Sequence, residues 1–126
     1  MCTGYLYEQE TYAIRGAVFD VYRELGCGFL ESVYQECLEK EFTHRKIAFL
    51  AQPEVQLYYK GETLKQIYRP DFLCFDSIIV ELKALTETKS EHQAQLLNYL
   101  KSTRKQLGLL VNFGAYPKAT VQRIIC

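Results

Sequence analysis

Tyr68-Arg69-Pro70-Asp71-Phe72-Leu73-Cys74-Phe75, then Asp76-Ser77, then Ile78-Ile79-Val80-Glu81-Leu82-Lys83-Ala84: two runs rich in aromatic and β-branched residues flank a short polar break. The pattern predicts a β-hairpin. Three charged groups sit inside the runs, Asp71 on the first arm and Glu81 and Lys83 on the second. Charges in strands that are apolar on both faces are costly to bury unless something pairs with them. Glu81 and Lys83 are two apart, so their side chains leave the same face of the strand. Two carboxylates and an ammonium converging on one point would make a hard-cation site with a cationic group beside it.

Register decides whether they converge. A strict two-residue turn at Asp76-Ser77 would set Asp71 opposite Leu82, pointing away from Glu81 and Lys83. A three-residue loop or a bulge shifts the pairing by one and brings Asp71 onto their face. A functional reading therefore expects an odd loop or a bulge, and no Asp-Gly or Asn-Gly pair marks a two-residue turn here. The competing reading takes Glu81 and Lys83 as edge-strand charges that guard against aggregation.

At 126 residues the chain is expected to form one domain, residues 1–126, with a single core. Apolar residues at 48% and charged residues at 24% suit a globular protein rather than a disordered one. Fifteen lysines and arginines balance 15 acids, which argues against a nucleic-acid binder that works by bulk charge. The five cysteines (Cys2, Cys27, Cys37, Cys74, Cys126) are widely spaced, without a Cys-x-x-Cys pair, and match neither zinc ligation nor a disulfide framework. Met1 to Tyr5 lacks the basic start and apolar run of a signal peptide, and no apolar stretch is long enough to cross a bilayer. The expected location is the cytoplasm, with reduced thiols and no membrane contact.

Ile14, Val18, Val21, Tyr22 and Leu25 fall at helical spacing between Thr11 and Leu25, and Gly26-Cys27-Gly28 ends that helix. A second helix carries the stripe Leu30, Val33, Tyr34, Cys37, Leu38 and Phe42, and ends in His44-Arg45-Lys46, which complement the helix dipole. Glu31 lies in its first turn, where an acid is favoured by about 0.3–1 kcal/mol. It also borders the apolar stripe beside Leu38, from where an acid can reach over the sheet. Val55 to Tyr59 reads as a strand, Lys60-Gly61-Glu62 as a turn, and Leu64 to Phe75 as one long return strand. Tyr58, Tyr59 and Tyr68 are candidates for an aromatic contact patch or for ordinary packing.

Ser90 with Gln93 fits a capping box opening a third helix, with Leu96, Leu97 and Leu100 buried. His92, Gln95 and Tyr99 share a second face, and Lys101, Arg104 and Lys105 close the helix by dipole complementarity or as phosphate contacts. Leu107 to Phe113 suits a strand covered on both sides and returning parallel to the sheet. Val121 to Ile125 is a candidate last edge strand. The order predicts an α/β fold, a mixed sheet with helices on both faces.

Pro70-Asp71 followed by Glu81-Leu82-Lys83 resembles the PD-(D/E)XK signature of the restriction-endonuclease-like superfamily. The element order is similar to that superfamily's α-β-β-β-α-β core, with an additional N-terminal helix. More narrowly, Gly28-Phe29-Leu30-Glu31-Ser32-Val33-Tyr34 resembles the Gly-x-x-Glu-x-x-Tyr motif of the bacterial GxxExxY family. Arg69-x-Asp71-Phe72-Leu73, Val80 to Ala84, His92-x-x-Gln95 to Leu100 and Gly108 to Gly114 look like its other blocks.

The resemblance implies a metal-dependent nuclease that hydrolyses phosphodiester bonds, of DNA rather than RNA, with Mg²⁺ or Mn²⁺ as cofactor. It implies Asp71 and Glu81 as metal ligands, with the Leu82 carbonyl as a third and Glu31 as the extra acid of the RecB-type branch. Lys83 would orient the attacking water and offset phosphate charge. Gln95 and Tyr99 would lie beside the site, with Arg69 and His92 as further supporting or substrate-binding positions. The alternative is a catalytically silent nucleic-acid-binding or protein-interaction module that keeps the fold. The neutral charge and small size leave little DNA-gripping surface on the chain itself, which a homodimer or a protein partner would supply.

Overall fold

The structure is a computed structural model that describes residues 6–126. Met1 to Tyr5, read above as lacking a leader, lie outside the described residues. The chain runs α1 (Glu8–Leu25), α2 (Glu31–His44), β1 (Phe49–Ala51), β2 (Val55–Tyr59), β3 (Glu62–Tyr68), β4 (Phe72–Cys74), β5 (Ile78–Lys83), α3 (Ser90–Thr103), β6 (Leu107–Asn112) and β7 (Thr120–Ile125). Five strands form the central sheet in the order β1-β4-β5-β6-β7, while β2 and β3 pair with each other in a separate hairpin. β5 and β6 run parallel, because α3 carries the chain back across the sheet between them. The other neighbours in the sheet are antiparallel.

Alternation along β5 divides the core in two. Ile78, Val80 and Leu82 face α1 and α2, and pack with Ile14, Val18, Leu38, Phe42 and Phe72. Ile79 faces the other way and packs with Leu73, Leu96, Leu100 and Leu110 under α3. Burying each such side chain contributes about 1.5–3 kcal/mol. Both faces are therefore covered, and this is the mixed α/β architecture expected from the element order.

Three local expectations are corrected. The stretch from Leu64 to Phe75 is two strands, with β3 in the outer hairpin and β4 in the central sheet. Pro70 stands in the break, where its fixed φ and missing N–H cannot continue a ladder. β1 was not foreseen: three residues are too few for periodicity, and β1 exists only because it pairs with β4, Phe49 opposite Cys74. At the start of α3, Ser90 is already helical and Lys89 is the N-cap. The Lys89 N–H donates to His92 Nδ1 at 2.9 Å, while Gln93 reaches Gln122 in β7 instead.

Candidate active site

The hairpin joining β4 to β5 has a three-residue loop, Phe75-Asp76-Ser77, because Cys74 pairs with Ile78, Leu73 with Ile79 and Phe72 with Val80. One step further along the same register, Asp71 faces Glu81. This is the odd loop that the functional reading required. Phe75 and Asp76 take φ of 54° and 57°, a left-handed conformation that costs side-chain-bearing residues about 1–2 kcal/mol each. Three hydrogen bonds offset that strain: Phe75 N–H to the Ala48 carbonyl at 2.9 Å, Ser77 N–H to the Cys74 carbonyl at 3.1 Å, and Lys105 Nζ to the Asp76 carbonyl at 3.2 Å.

Where the β4–β5 ladder ends, carboxylates replace carbonyls. The Asp71 N–H donates to Glu81 Oε1 at 3.0 Å, and the Leu82 N–H donates to Asp71 Oδ2 at 2.7 Å. Burial, followed by the negative charge of Asp71, raises the Glu81 carboxyl to about 7. Burial also raises Asp71, while the Leu82 N–H and the positive charge of Lys83 oppose the rise. Lys83 is half-buried near both carboxylates, and among the described residues it forms no ion pair within 4.0 Å. The pair would ionise together most readily with a cation present.

Glu31 opens α2, and its position is built from below. Tyr34 stacks on Phe113 with centroids 4.4 Å apart and planes 4° apart. Its hydroxyl donates to the Gly26 carbonyl at 2.6 Å and accepts from the Phe29 N–H at 3.2 Å. The loop between the helices is thereby tied to the sheet, and Gly28 within it holds φ 108°, which favours glycine. Glu31, Ser32 and Gln35 line one wall of a cleft of about 250 Å³, opposite Asp71, Leu82 and Gln52. Gln35 Nε2 also donates to the Asp71 carbonyl at 3.2 Å.

Asp71 and Glu81 thus converge directly, while the exposed Glu31 shares only the cleft with Asp71. Among the described residues, no three His, Cys, Asp or Glu side chains stand close enough to hold a metal ion. The donor chemistry nevertheless fits a hard cation: two oxygen ligands of raised proton affinity, with the Leu82 backbone at the cleft wall. Since the Leu82 N–H points at Asp71, its carbonyl lies along the same strand edge.

The remaining sequence candidates divide. Tyr99 stacks flat on Tyr68, with centroids 3.8 Å apart and planes 6° apart, so it stands one ring away from the carboxylates. Gln95 instead lines a groove of about 290 Å³ between α3 and the outer hairpin, with Tyr99, Asn98 and Leu57. His92 caps α3, and Arg69 pairs with Glu54 at 3.0 Å on an exposed surface. Tyr58 is covered by the Arg104 guanidinium at 4.0 Å, and Tyr68 is buried, which leaves Tyr59 as the exposed ring of the three tyrosines. Arg45 is engaged by Asp20 and Glu41 rather than left to solvent.

One supporting residue had no role in the sequence reading. Asn112 is buried at the end of β6, where Oδ1 accepts from the N–H groups of Leu85 at 2.9 Å and Gly114 at 3.0 Å. Its Nδ2 donates to the Leu85 carbonyl at 2.9 Å, and the Phe113 N–H donates to the Lys83 carbonyl at 2.9 Å. Together they hold the segment that carries Lys83. Gly114 permits the approach, since a Cβ there would stand 2.3 Å from the Leu85 carbonyl oxygen. An amide closing an otherwise apolar strand was the available signal.

A family model of the PD-(D/E)XK nuclease superfamily matches residues 8–124. Among solved structures, the chain is similar to that of SSO0001, with a TM-score of 0.58 and 21% identity over 75% of this chain and 48% of that one. It is also matched to an alkaline exonuclease from Laribacter hongkongensis, with a TM-score of 0.48 and 14% identity over 69% of this chain and 51% of that one. The chain therefore spans about half the length of these structures. No curated protein matches it.

Proposed function

The chain belongs to the PD-(D/E)XK nuclease superfamily, and from that premise we propose that it is a metal-dependent nuclease that hydrolyses phosphodiester bonds, with DNA preferred to RNA. The observation that carries the proposal is the reciprocal pairing of Asp71 and Glu81 at the end of the β4–β5 ladder, with Lys83 on the same face. Mg²⁺ or Mn²⁺, when bound, would neutralise phosphate charge and make its bound water more acidic. Asp71 and Glu81 would hold it, with the Leu82 carbonyl and Glu31 as further ligands. Lys83 orients the attacking water and offsets charge on the phosphate. Narrower membership in the bacterial GxxExxY family is part of the same proposal; supporting it are the positive φ of Gly28, Glu31 at the cleft wall and the Tyr34 hydroxyl bound to the Gly26 carbonyl. No helix among the described residues is long and apolar enough to cross a membrane. Cys27, Cys37 and Cys74 are free thiols, which supports a reducing, cytoplasmic setting.

A silent binding module is the second reading. It is favoured by the absence, among the described residues, of a three-ligand metal cluster and by the balanced charge. Single-turnover assays with Mn²⁺ on single-stranded and duplex DNA and RNA separate the two. Cleavage that chelator abolishes supports the nuclease. Binding without cleavage on every substrate supports the module.

A further inference from the structure

Among the described residues, the Tyr68 hydroxyl is the buried side-chain polar atom without a hydrogen-bond partner. Tyr68 is only 7% exposed, and it packs among Leu73, Ile79, Leu96 and Leu100 on the sheet face that Glu81 shares. Its ring is locked flat against Tyr99, so the hydroxyl cannot turn away without breaking the stack. An orphaned buried hydroxyl costs about 1–3 kcal/mol, and phenylalanine would fill an inert core position without that cost. The neighbouring group that acts on it most is Glu81, by its charge and as a hydrogen-bond acceptor, followed by the charge of Asp71, although no acceptor meets the hydroxyl at full hydrogen-bond distance. Glu81 in turn commits Oε1 to the Asp71 N–H, which leaves Oε2 free.

We propose that Tyr68 is a positioning residue, whose hydroxyl donates to the free oxygen of ionised Glu81 and holds that carboxylate turned to share a cation with Asp71. The inference rests on the nuclease-site reading given above. It also gives Tyr99 a role, which is to keep the Tyr68 ring in place.

Calorimetric titration of Mn²⁺ into the wild type, Asp71→Ala, Tyr68→Phe and Tyr99→Leu tests it, with thermal unfolding and tyrosine difference absorbance recorded on the same samples. Tyr68→Phe is expected to melt at or above the wild-type temperature, since the lost hydroxyl has no partner in the metal-free fold. Its Mn²⁺ affinity should fall about tenfold, the scale of one hydrogen bond to a charged group. The tyrosine absorbance change seen when Mn²⁺ enters the wild type should disappear in Tyr68→Phe. Tyr99→Leu should weaken Mn²⁺ in the same direction. Wild-type affinity in both Tyr68→Phe and Tyr99→Leu, alongside loss of binding in Asp71→Ala, overturns this inference and leaves the nuclease site standing. Undiminished binding in Asp71→Ala overturns the site itself and this inference with it.

Discussion

Asp71 and Glu81 each satisfy backbone of the opposite strand: the Asp71 N–H is bound by the Glu81 carboxylate, and the Asp71 carboxylate binds the Leu82 N–H next to Glu81. The two acids therefore do structural duty at the point where the ladder opens. Their removal has local consequences for the sheet as well as for chemistry, and variants must be read on both axes.

Asp71→Ala should abolish Mn²⁺ uptake and cleavage together, and should lower stability by about 1–3 kcal/mol because the Leu82 N–H loses its charged acceptor. Lys83→Ala should retain uptake and lose turnover by about a hundredfold or more, the scale of one electrostatic contact in a transition state. Metal titration beside single-turnover rates resolves the pair. Cleavage by Lys83→Ala at the wild-type rate would sink the assigned role.

Glu81 sets a pH dependence of stability. Its carboxyl lies at about 7 in the fold against an ordinary 4.5, so between those values the folded chain keeps a proton that the unfolded chain releases. Metal-free stability should therefore fall as pH rises through that window and level off above it. Glu81→Gln removes the effect, and should exceed wild type by on the order of 2 kcal/mol at pH near 8 while matching its pH trend far less closely. Urea unfolding across the acid-to-neutral range, with and without Mn²⁺, measures both slopes.

Tyr34→Phe deletes the hydroxyl that joins the Gly26 carbonyl to the Phe29 N–H but keeps the stack on Phe113. The expected loss is about 1–2 kcal/mol. Amide exchange should rise from Gly26 to Ser32, and cleavage should slow through the displaced Glu31, with α1 and β6 unaffected. Unchanged exchange in that loop would show that the hydroxyl anchors nothing.

Asp76→Gly relieves one of the two left-handed residues of the hairpin loop. It should raise stability by about 0.5 kcal/mol and leave cleavage unchanged, because the loop length, and with it the register, is kept. Deleting Asp76 leaves a two-residue loop, Phe75-Ser77, still flanked by the Cys74–Ile78 pair, so Asp71 stays opposite Glu81; Mn²⁺ uptake should survive and the cost should appear in stability alone. Thermal melts and metal titration decide both.

The sequence by itself determined which residues meet each other along the chain. Period-2 spacing put Glu81 and Lys83 on one face, period-3.6 spacing marked α1 to α3, and the unbroken apolar run marked β6 as a strand covered on both sides. These signals are local and survive without knowledge of partners. The tertiary structure decided what depends on distant pairing. It separated β3 from β4 at Pro70 and formed β1 against β4. It drew Asn112 onto Leu85, and placed Tyr68 beneath Tyr99 with its hydroxyl unpartnered. The loop length that aligns Asp71 with Glu81 was required by the chemistry of the sequence. Yet it is held by Ala48 and Lys105, from segments far from the hairpin in the chain. Register is a property of two strands and their supports, so only the assembled fold could settle it.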